Sequence, residues 1–396
     1  MNPTIEKANQ YVMNTYASFP LVFEKGEGCY LTDDGGKKYL DFVAGIAVNA
    51  LGYGHKKWMK AITDQLEKVH HLSNLYYNEV PVTLAEKLCK SAGLDKAFFC
   101  NSGAESIEAA LKLARIYAKK NKSEEAFEIV AMENSFHGRT FGALSATGQK
   151  KHQMHFDPML PQVHFAAYND IESLKSLVTE NTAAVLLEPI QGEGGINPAK
   201  KEYLKQVRAL CDEKDIVLIF DEVQSGIGRT GSFFAYQQFD VVPDIVTCAK
   251  GLAGGVPMGA IIAKEAVAKA FEPGSHASTF GGNPLSAAAA LCVVDLLNEE
   301  GLLEHSKEMG QYLGEQLKGL VTALPDVVKQ IKGLGLMAGI EVTVEPKKVI
   351  GKAMEKGLLI AGAGSNVLRL VPPLIVSKKE IDQAVSILKK SLEEVQ

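Results

Sequence analysis

The middle of the chain alternates short apolar runs with longer helical patterns. This alternation restricts the fold more than any other feature. AFFCN (97–101) precedes ESIEAALKLARIYAKK (105–120). FEIVA (127–131) comes next, and AAVLLE (183–188) precedes EYLKQVRALCDEK (202–214). IVLIFD (216–221), DIVTCA (244–249) and GAIIA (259–263) follow. Short apolar runs bounded by turns fit strands covered on both faces. The pattern at 105–120 carries Ile107, Ala110, Leu111, Ala114 and Tyr117 on one stripe at helical period. The expected fold is α/β, with a mostly parallel central sheet and helices on both faces.

The two ends read differently. GLMAGIEV and VLRLVPPL read as strands, and KKEIDQAVSILKKSLEEV as a closing amphipathic helix, which suggests a smaller α+β domain. GCYLTDDGGKKYLDF reads as short strands around the DDGG turn. A chain of 396 residues exceeds one ordinary core. The expected division is an N-terminal arm (1–50) joining the small domain, a large domain (51–285) and a C-terminal small domain (286–396).

Composition narrows the function classes. With 46% hydrophobic and 22% charged residues the chain reads as soluble and globular, and a net charge of −5 argues against a nucleic-acid partner. No apolar run reaches the roughly 18–20 residues of a membrane span. MNPTIEKANQYVMNTY lacks the marks of a secretory signal or transit peptide. Cysteines 29, 89, 100, 211, 248 and 292 form no CxxC pair and read as free thiols, so a cytoplasmic location is expected. His152 and His155 form an HxxH with no carboxylate to complete a metal site, and no metal is expected.

Ligands of open parallel sheets bind beyond the carboxyl ends of the strands. After AFFCN comes Ser102-Gly103-Ala104-Glu105, a small-residue turn opening a helix. It suits a phosphate. It equally reads as a plain cap, with Ser102 and Glu105 forming a capping box. After IVLIF comes Asp221, and after DIVTCA comes Lys250, a lysine set between apolar runs. EPIQGEGG (188–195) ends another strand with Glu188 and adds Glu193. ENSFHGRTFGALS (133–145) gathers Phe136, His137 and Arg139 in one turn, and STFGGNP (278–284) offers hydroxyls and bare backbone. Arginine is used only at 115, 139, 208, 229 and 369. Arg139 and Arg369 fall outside the helical patterns, where a planar fork can grip a carboxylate.

One planar aromatic cofactor needs all these parts. Pyridoxal 5'-phosphate has an aldehyde for a lysine amine, a pyridine nitrogen for a carboxylate and a phosphate for a helix N-terminus. Covalent attachment also explains a lysine placed where an ammonium ion is expensive to bury.

The chain resembles the class III aminotransferases of the fold-type I pyridoxal phosphate family. The likeness runs nearly end to end, through GEGCYLTDDGGKKYLDFVAGIAVNALGYGH (26–55), NSGAES, SFHGRT, EPIQGEGG, FDEVQSGIGRTG, AKGLAGGVPMGA and STFGGNP in the family's order. SNLYYN (73–78) and GIAVNALGYGH (45–55) place it nearest the acetylornithine branch. The resemblance implies that Lys250 carries the cofactor, Asp221 pairs with the ring nitrogen and Gln224 lies near the phenolic oxygen. Gly103 and Ala104 would offer N–H groups to the phosphate, and Phe136 would stack on the ring. Thr279 would reach the phosphate from a neighbouring subunit, which makes a homodimer with shared sites. Ser102, Glu188, Glu222 and Val223 complete the expected cofactor set.

For the substrates, N2-acetylornithine and 2-oxoglutarate/glutamate, the resemblance assigns Arg139 to the far carboxylate and Arg369 to the near one. Ser278 would help hold acetylornithine. Glu193 would neutralise Arg369 in one half-reaction and swing away in the other. Ile46 stands where ornithine aminotransferases carry a tyrosine that contacts a free α-amine. Succinylornithine, 4-aminobutyrate and ornithine are the alternative donors. A racemase or aminomutase of the family, or an inactive relative, is the next alternative. A dinucleotide enzyme is the remotest, resting on GIGRTG (226–231), which is not followed by the expected helix.

Overall fold

The computed structural model describes residues 2–396. Seven strands form the central sheet: β1 (Lys96–Cys100), β2 (Glu128–Met132), β3 (Val163–Ala166), β4 (Thr182–Leu187), β5 (Val217–Asp221), β6 (Ile245–Cys248) and β7 (Gly259–Ala263). Their order is β1-β7-β6-β5-β4-β2-β3. All neighbours run parallel except β7, which is antiparallel to both β6 and β1. The sheet is mostly parallel, as the pattern predicts.

Successive residues of a strand point to opposite faces, and the core divides accordingly. Val130, Val185, Leu218, Phe220 and Val246 pack on one face with Leu84, Leu88, Leu204, Val207 and Val293. Ile129, Ala184, Leu186, Ile219 and Ile245 pack on the other with Ile107, Ala110, Leu111 and Ala114. Both faces are therefore dry, which is why these strands read as continuous apolar runs rather than alternating ones.

Two four-stranded sheets accompany this one, besides a two-stranded ribbon of Ile190–Gln191 and Asn197–Pro198. Phe23–Glu27, Tyr30–Asp33 and Lys38–Asp41 form an antiparallel meander, and Leu358–Leu359 adds a parallel fourth strand from far along the chain. Val328–Leu334, Met337–Val342, Val367–Leu370 and Ala361–Ala363 form the other, with every pair antiparallel. The strand read in VLRLVPPL ends at Leu370 because Pro372 and Pro373 have no N–H for a ladder. Lys378–Glu393 is the closing helix, capped reciprocally by Ser377 and Glu380.

Candidate active site

The parallel strands end on one side of the sheet, and a cleft of about 460 Å³ opens there. Asn101–Ala104 enter it beyond β1, Phe136–Arg139 beyond β2, Glu188 beyond β4 and Lys250 beyond β6. Asp221 closes β5, with Val223 and Gln224 just after it. Val48, Gly255, Val256, Pro257 and Met258 complete the lining with uncharged groups.

The helix Gly103–Asn121 points its N-terminus into the cleft. Its first amides have no intrahelical carbonyl to bond. The Ser102 hydroxyl accepts from the Glu105 amide at 3.1 Å, an ordinary N-cap. The capping box stays half-made, because the Glu105 carboxylate accepts from the Asn101 backbone and side chain instead, at 2.6 and 2.9 Å. A Cβ on Gly103 would come within 2.6 Å of Val223, so the absent side chain is what lets Val223 close on the helix end.

Asp221 is 4% exposed, and both its oxygens are hydrogen-bonded. One oxygen pairs with His137 Nδ1 at 2.6 Å. The other accepts from the Val223 amide at 2.9 Å and the Thr247 hydroxyl at 3.3 Å. His137 Nε2 is buried and has no hydrogen-bond partner. Glu188 accepts from the Phe136 and Gly192 amides, each at 3.1 Å. Burial pushes its carboxyl above the usual range, His137 and these amides oppose the shift, and Asp221 adds to it.

Lys250 opens a short 3-10 turn with φ of 42°, a left-handed conformation that a non-glycine residue adopts only when held there. Burial lowers its amine pKa, against the pull of Glu193. A lowered pKa enlarges the share of neutral, nucleophilic amine at a given pH.

A second layer lies behind Gln224. Arg369 sits on the strand Val367–Leu370, 2% exposed, and its guanidinium donates to Glu193 and, at 3.1 Å, to Gln224 Oε1. Gln224 Nε2 in turn approaches Glu193 at 3.4 Å. Burial works to raise the Glu193 carboxyl, but Arg369 outweighs it and holds the pKa below the usual value. Arg369 Nε has no partner.

The sequence-predicted residues thus divide. Lys250, Asp221, Ser102, Gly103, Ala104, Phe136, Glu188, Val223, Gln224 and Arg139 meet in the cleft. Arg139 lies 5.5 Å from the Phe136 ring centroid. Glu193 and Arg369 join through Gln224. Ser278 and Thr279 line a neighbouring cavity, linked to the cleft where Asn101 Nδ2 donates to Ser278 Oγ at 3.1 Å. Ile46 lines another cavity, with Asp41 and Tyr53.

Glu222 corrects the expected cofactor set. It is fully buried and turned away from the cleft, accepting from Ser225 Oγ at 2.8 Å and from the Ala235 and Tyr236 amides at 2.8 and 2.7 Å. The reason is alternation: if Asp221 faces the cleft at the strand end, its neighbour faces away. Conversely, His137 has no role in the sequence reading beyond its place in the turn. Its position beside Phe136 was the available signal, but its partner lies 84 residues further on. GIGRTG is no dinucleotide loop, because Arg229 is buried within it and donates to the Leu336 and Pro372 carbonyls.

Known proteins resemble this chain in sequence and fold. The family model for "Aminotransferase class-III" matches residues 11–392. An acetylornithine aminotransferase from Clostridium acetobutylicum is 51% identical over 97% of this chain and 100% of its own length. One from Aquifex aeolicus is 50% identical over 96% of this chain and 100% of its own length. Among solved structures, an ornithine aminotransferase from Toxoplasma gondii superposes with a TM-score of 0.94 at 33% identity, covering 99% of this chain and 94% of that one. A second Toxoplasma gondii structure has partial occupancy of PLP at its active site. An acetylornithine aminotransferase from Elizabethkingia anophelis gives 0.87 at 33% identity, covering 99% and 98%. With a match to the family model over nearly its whole length and relatives half identical to it, the chain belongs to the class-III aminotransferases.

Proposed function

We propose that the chain moves the terminal amine of N2-acetyl-L-ornithine to 2-oxoglutarate, giving N-acetylglutamate 5-semialdehyde and L-glutamate, as a step of arginine biosynthesis. The observation that carries this reading is the 51% identity to an acetylornithine aminotransferase over 97% of the chain. Among solved structures, ornithine and acetylornithine aminotransferases match at the same 33% identity, so the choice of donor rests on the sequence relatives.

Pyridoxal 5'-phosphate suits the donor set: an amine with a lowered pKa, a buried carboxylate and a helix N-terminus at the cleft, where glycine lets Val223 pack close. When bound, it supplies an aldehyde for amines and a ring that accepts electrons. Lys250 would hold it and then move a proton at Nζ, from the carbon bearing the amine and back. Asp221 would face the ring nitrogen, with His137 bracing it from behind. The Gly103 and Ala104 amides would take the phosphate beside Ser102. Phe136 would cover one ring face, Val223 would pack on the other, and Gln224 would reach the phenolic oxygen. Glu188 would support the Phe136 turn.

Arg139 and Arg369 would grip the far and near carboxylates of the substrates. While the amine donor is bound, Glu193 would occupy Arg369. When glutamate or 2-oxoglutarate binds, it would yield its place. Ser278 and Thr279 would act across a homodimer interface. Support for that assembly comes from the apolar surface beside them, where Leu75, Tyr76, Tyr77 and Phe280 are all exposed. The same reading divides the chain into an arm (1–50), a large domain (51–285) and a small domain (286–396).

A visible absorption spectrum tests the reading. The purified protein with added pyridoxal phosphate is expected to show a yellow band that N2-acetylornithine bleaches and 2-oxoglutarate restores. A band that answers only to 4-aminobutyrate or free ornithine would overturn the donor, and no band at all would overturn the cofactor. A racemase would show no dependence on 2-oxoglutarate.

A further inference from the structure

Four consecutive residues beside the cleft have left-handed backbone: Ala44 (φ 48°), Gly45 (66°), Ile46 (62°) and Ala47 (63°). Only one is glycine. L-residues take such a turn only where the surroundings impose it, and such turns cluster at functional sites. The turn bonds internally, with the Ala47 amide donating to Val43 O at 3.0 Å and the Val48 amide to Ala44 O at 2.8 Å. It also packs on the lysine segment. A Cβ on Gly251, next to Lys250, would stand 3.6 Å from Ala47 O, and one on Gly255 would stand 3.2 Å from Asn49 Oδ1.

Two side chains hold the turn. Asp41 ends its strand 2% exposed, and its Oδ1 accepts from the Val43 and Ala44 amides, both at 2.9 Å. Its Oδ2 accepts from the Tyr53 hydroxyl at 2.7 Å. Asn49 Nδ2 donates back to that hydroxyl at 3.1 Å. The Tyr53 ring is itself fixed, since a Cβ on Gly26 would fall 2.5 Å from its Cγ. Asp41, Tyr53 and Asn49 form a chain of hydrogen bonds around the start and the end of the turn.

The turn carries Val48 into the cleft and leaves Ile46 38% exposed. Both are uncharged. The two substrates differ in one respect that such a wall can sense. Glutamate presents charged carboxylates at both ends, which suit arginines. The acylated diamine adds a neutral amide with a small apolar cap, which has no use for an arginine and gains from dry, uncharged surface.

We propose that Asp41 and Tyr53 are positioning residues for amine-donor recognition: they lock the Ala44–Ala47 turn so that Val48, which it carries into the cleft, forms the wall against which the donor's acyl group lies. The proposal rests on the reading of the cleft as the aminotransfer site. The clamp of Asp41, Tyr53 and Asn49 makes no hydrogen bond to Lys250 or to the Ser102–Ala104 turn. Because the left-handed turn packs beside Gly251 and Gly255, each variant is first checked for bound pyridoxal phosphate by its absorption band.

The test compares Tyr53→Phe and Asp41→Asn with the unsubstituted holoenzyme. Tyr53→Phe keeps the ring and removes one hydrogen bond, and Asp41→Asn keeps the volume and removes the charge. The probes are N2-acetylnorvaline, which carries the acylated end without a reactive amine, and glutarate, which carries two carboxylates and no acyl group. Titration calorimetry is expected to show acetylnorvaline binding weakened by about ten-fold in both variants, with glutarate binding within about two-fold. The N2-acetylornithine half-reaction is expected to slow by about ten-fold in kcat/KM, the glutamate half-reaction by less than about two-fold. Equal losses for the two probes, or none, overturn the assignment, because a merely structural role has no reason to distinguish them. An unsubstituted enzyme that never processes acetylornithine overturns the donor reading itself, which is a separate result from a clamp that proves indifferent to the acyl group.

Discussion

Two arginines of this protein are buried to the same degree, 2% exposed, and they have opposite surroundings. Arg229 donates to the main-chain carbonyls of Leu336 and Pro372, with no carboxylate among its hydrogen-bond partners. Those acceptors are fixed parts of the fold. Arg369 donates to Glu193 and Gln224, two side chains, with Nε left over. Glu193 lies in a loop and keeps its side chain 27% exposed, so it has somewhere to go. A cation satisfied by backbone ties segments together. A cation paired with a carboxylate that can move away is free to take another, which is the role proposed for Arg369 and Glu193.

That contrast breaks most sharply at Arg369. Arg369→Ala is expected to lower kcat/KM for glutamate by about 10²–10³, the loss typical of one partner of a buried charge pair. The acetylornithine half-reaction is expected to fall by less than about ten-fold, because its donor leaves Arg369 to Glu193. Rapid-mixing measurement of the two half-reactions decides it. Similar losses in both would mean that Arg369 serves a part common to both substrates.

Arg229 is the counter-case. Arg229→Met leaves two buried carbonyls without a donor, at about 1–3 kcal/mol for each unsatisfied group. Urea unfolding is expected to show a loss of about 3 kcal/mol, with kcat/KM for either substrate within about three-fold well below the melting temperature. Altered kinetics at undiminished stability would place Arg229 in the site and remove the distinction.

Sequence alone separated these two arginines only in part. The alternation of apolar runs and helical patterns revealed the central sheet, because burial on both faces writes itself into β4, β5 and β6 residue by residue. The ends of those strands revealed Asp221, Lys250 and Glu188 for the same reason. What the sequence hides is direction and distance. Glu222 follows Asp221 and resembles it chemically, yet one faces the cleft and the other a structural loop. His137 was visible in its turn, but its bond to Asp221 exists only once β2 and β5 lie in one sheet. The clamp of Asp41 on Tyr53 spans only 12 residues, and still nothing in their spacing announces a left-handed turn between them.

Glu193 gives the smallest expected effect and the finest test of the comparison. If it is a substitute for a substrate carboxylate, its charge matters in only one half-reaction. Glu193→Gln keeps the shape and removes the charge, and is expected to slow the acetylornithine half by about ten-fold and the glutamate half by less than about three-fold. The pH dependence has a definite sign. Arg369 holds the Glu193 carboxyl below its usual range despite burial, so the pair is intact at neutral pH and is lost only as the pH falls through that lowered value. Protonation would then free Arg369 and favour glutamate. Between pH 8 and about pH 5, above the ordinary glutamate pKa of about 4.3, the ratio of the two half-reaction rates is expected to stay constant within about two-fold. Taking the ratio removes groups that serve both halves, Lys250 included. A ratio that turns over near pH 6–7 in the unsubstituted protein, and stays flat in Glu193→Gln, would show a carboxylate raised by burial rather than lowered by Arg369. Equal slowing of both half-reactions in Glu193→Gln would instead make the pair a structural bridge rather than an occupied ligand site.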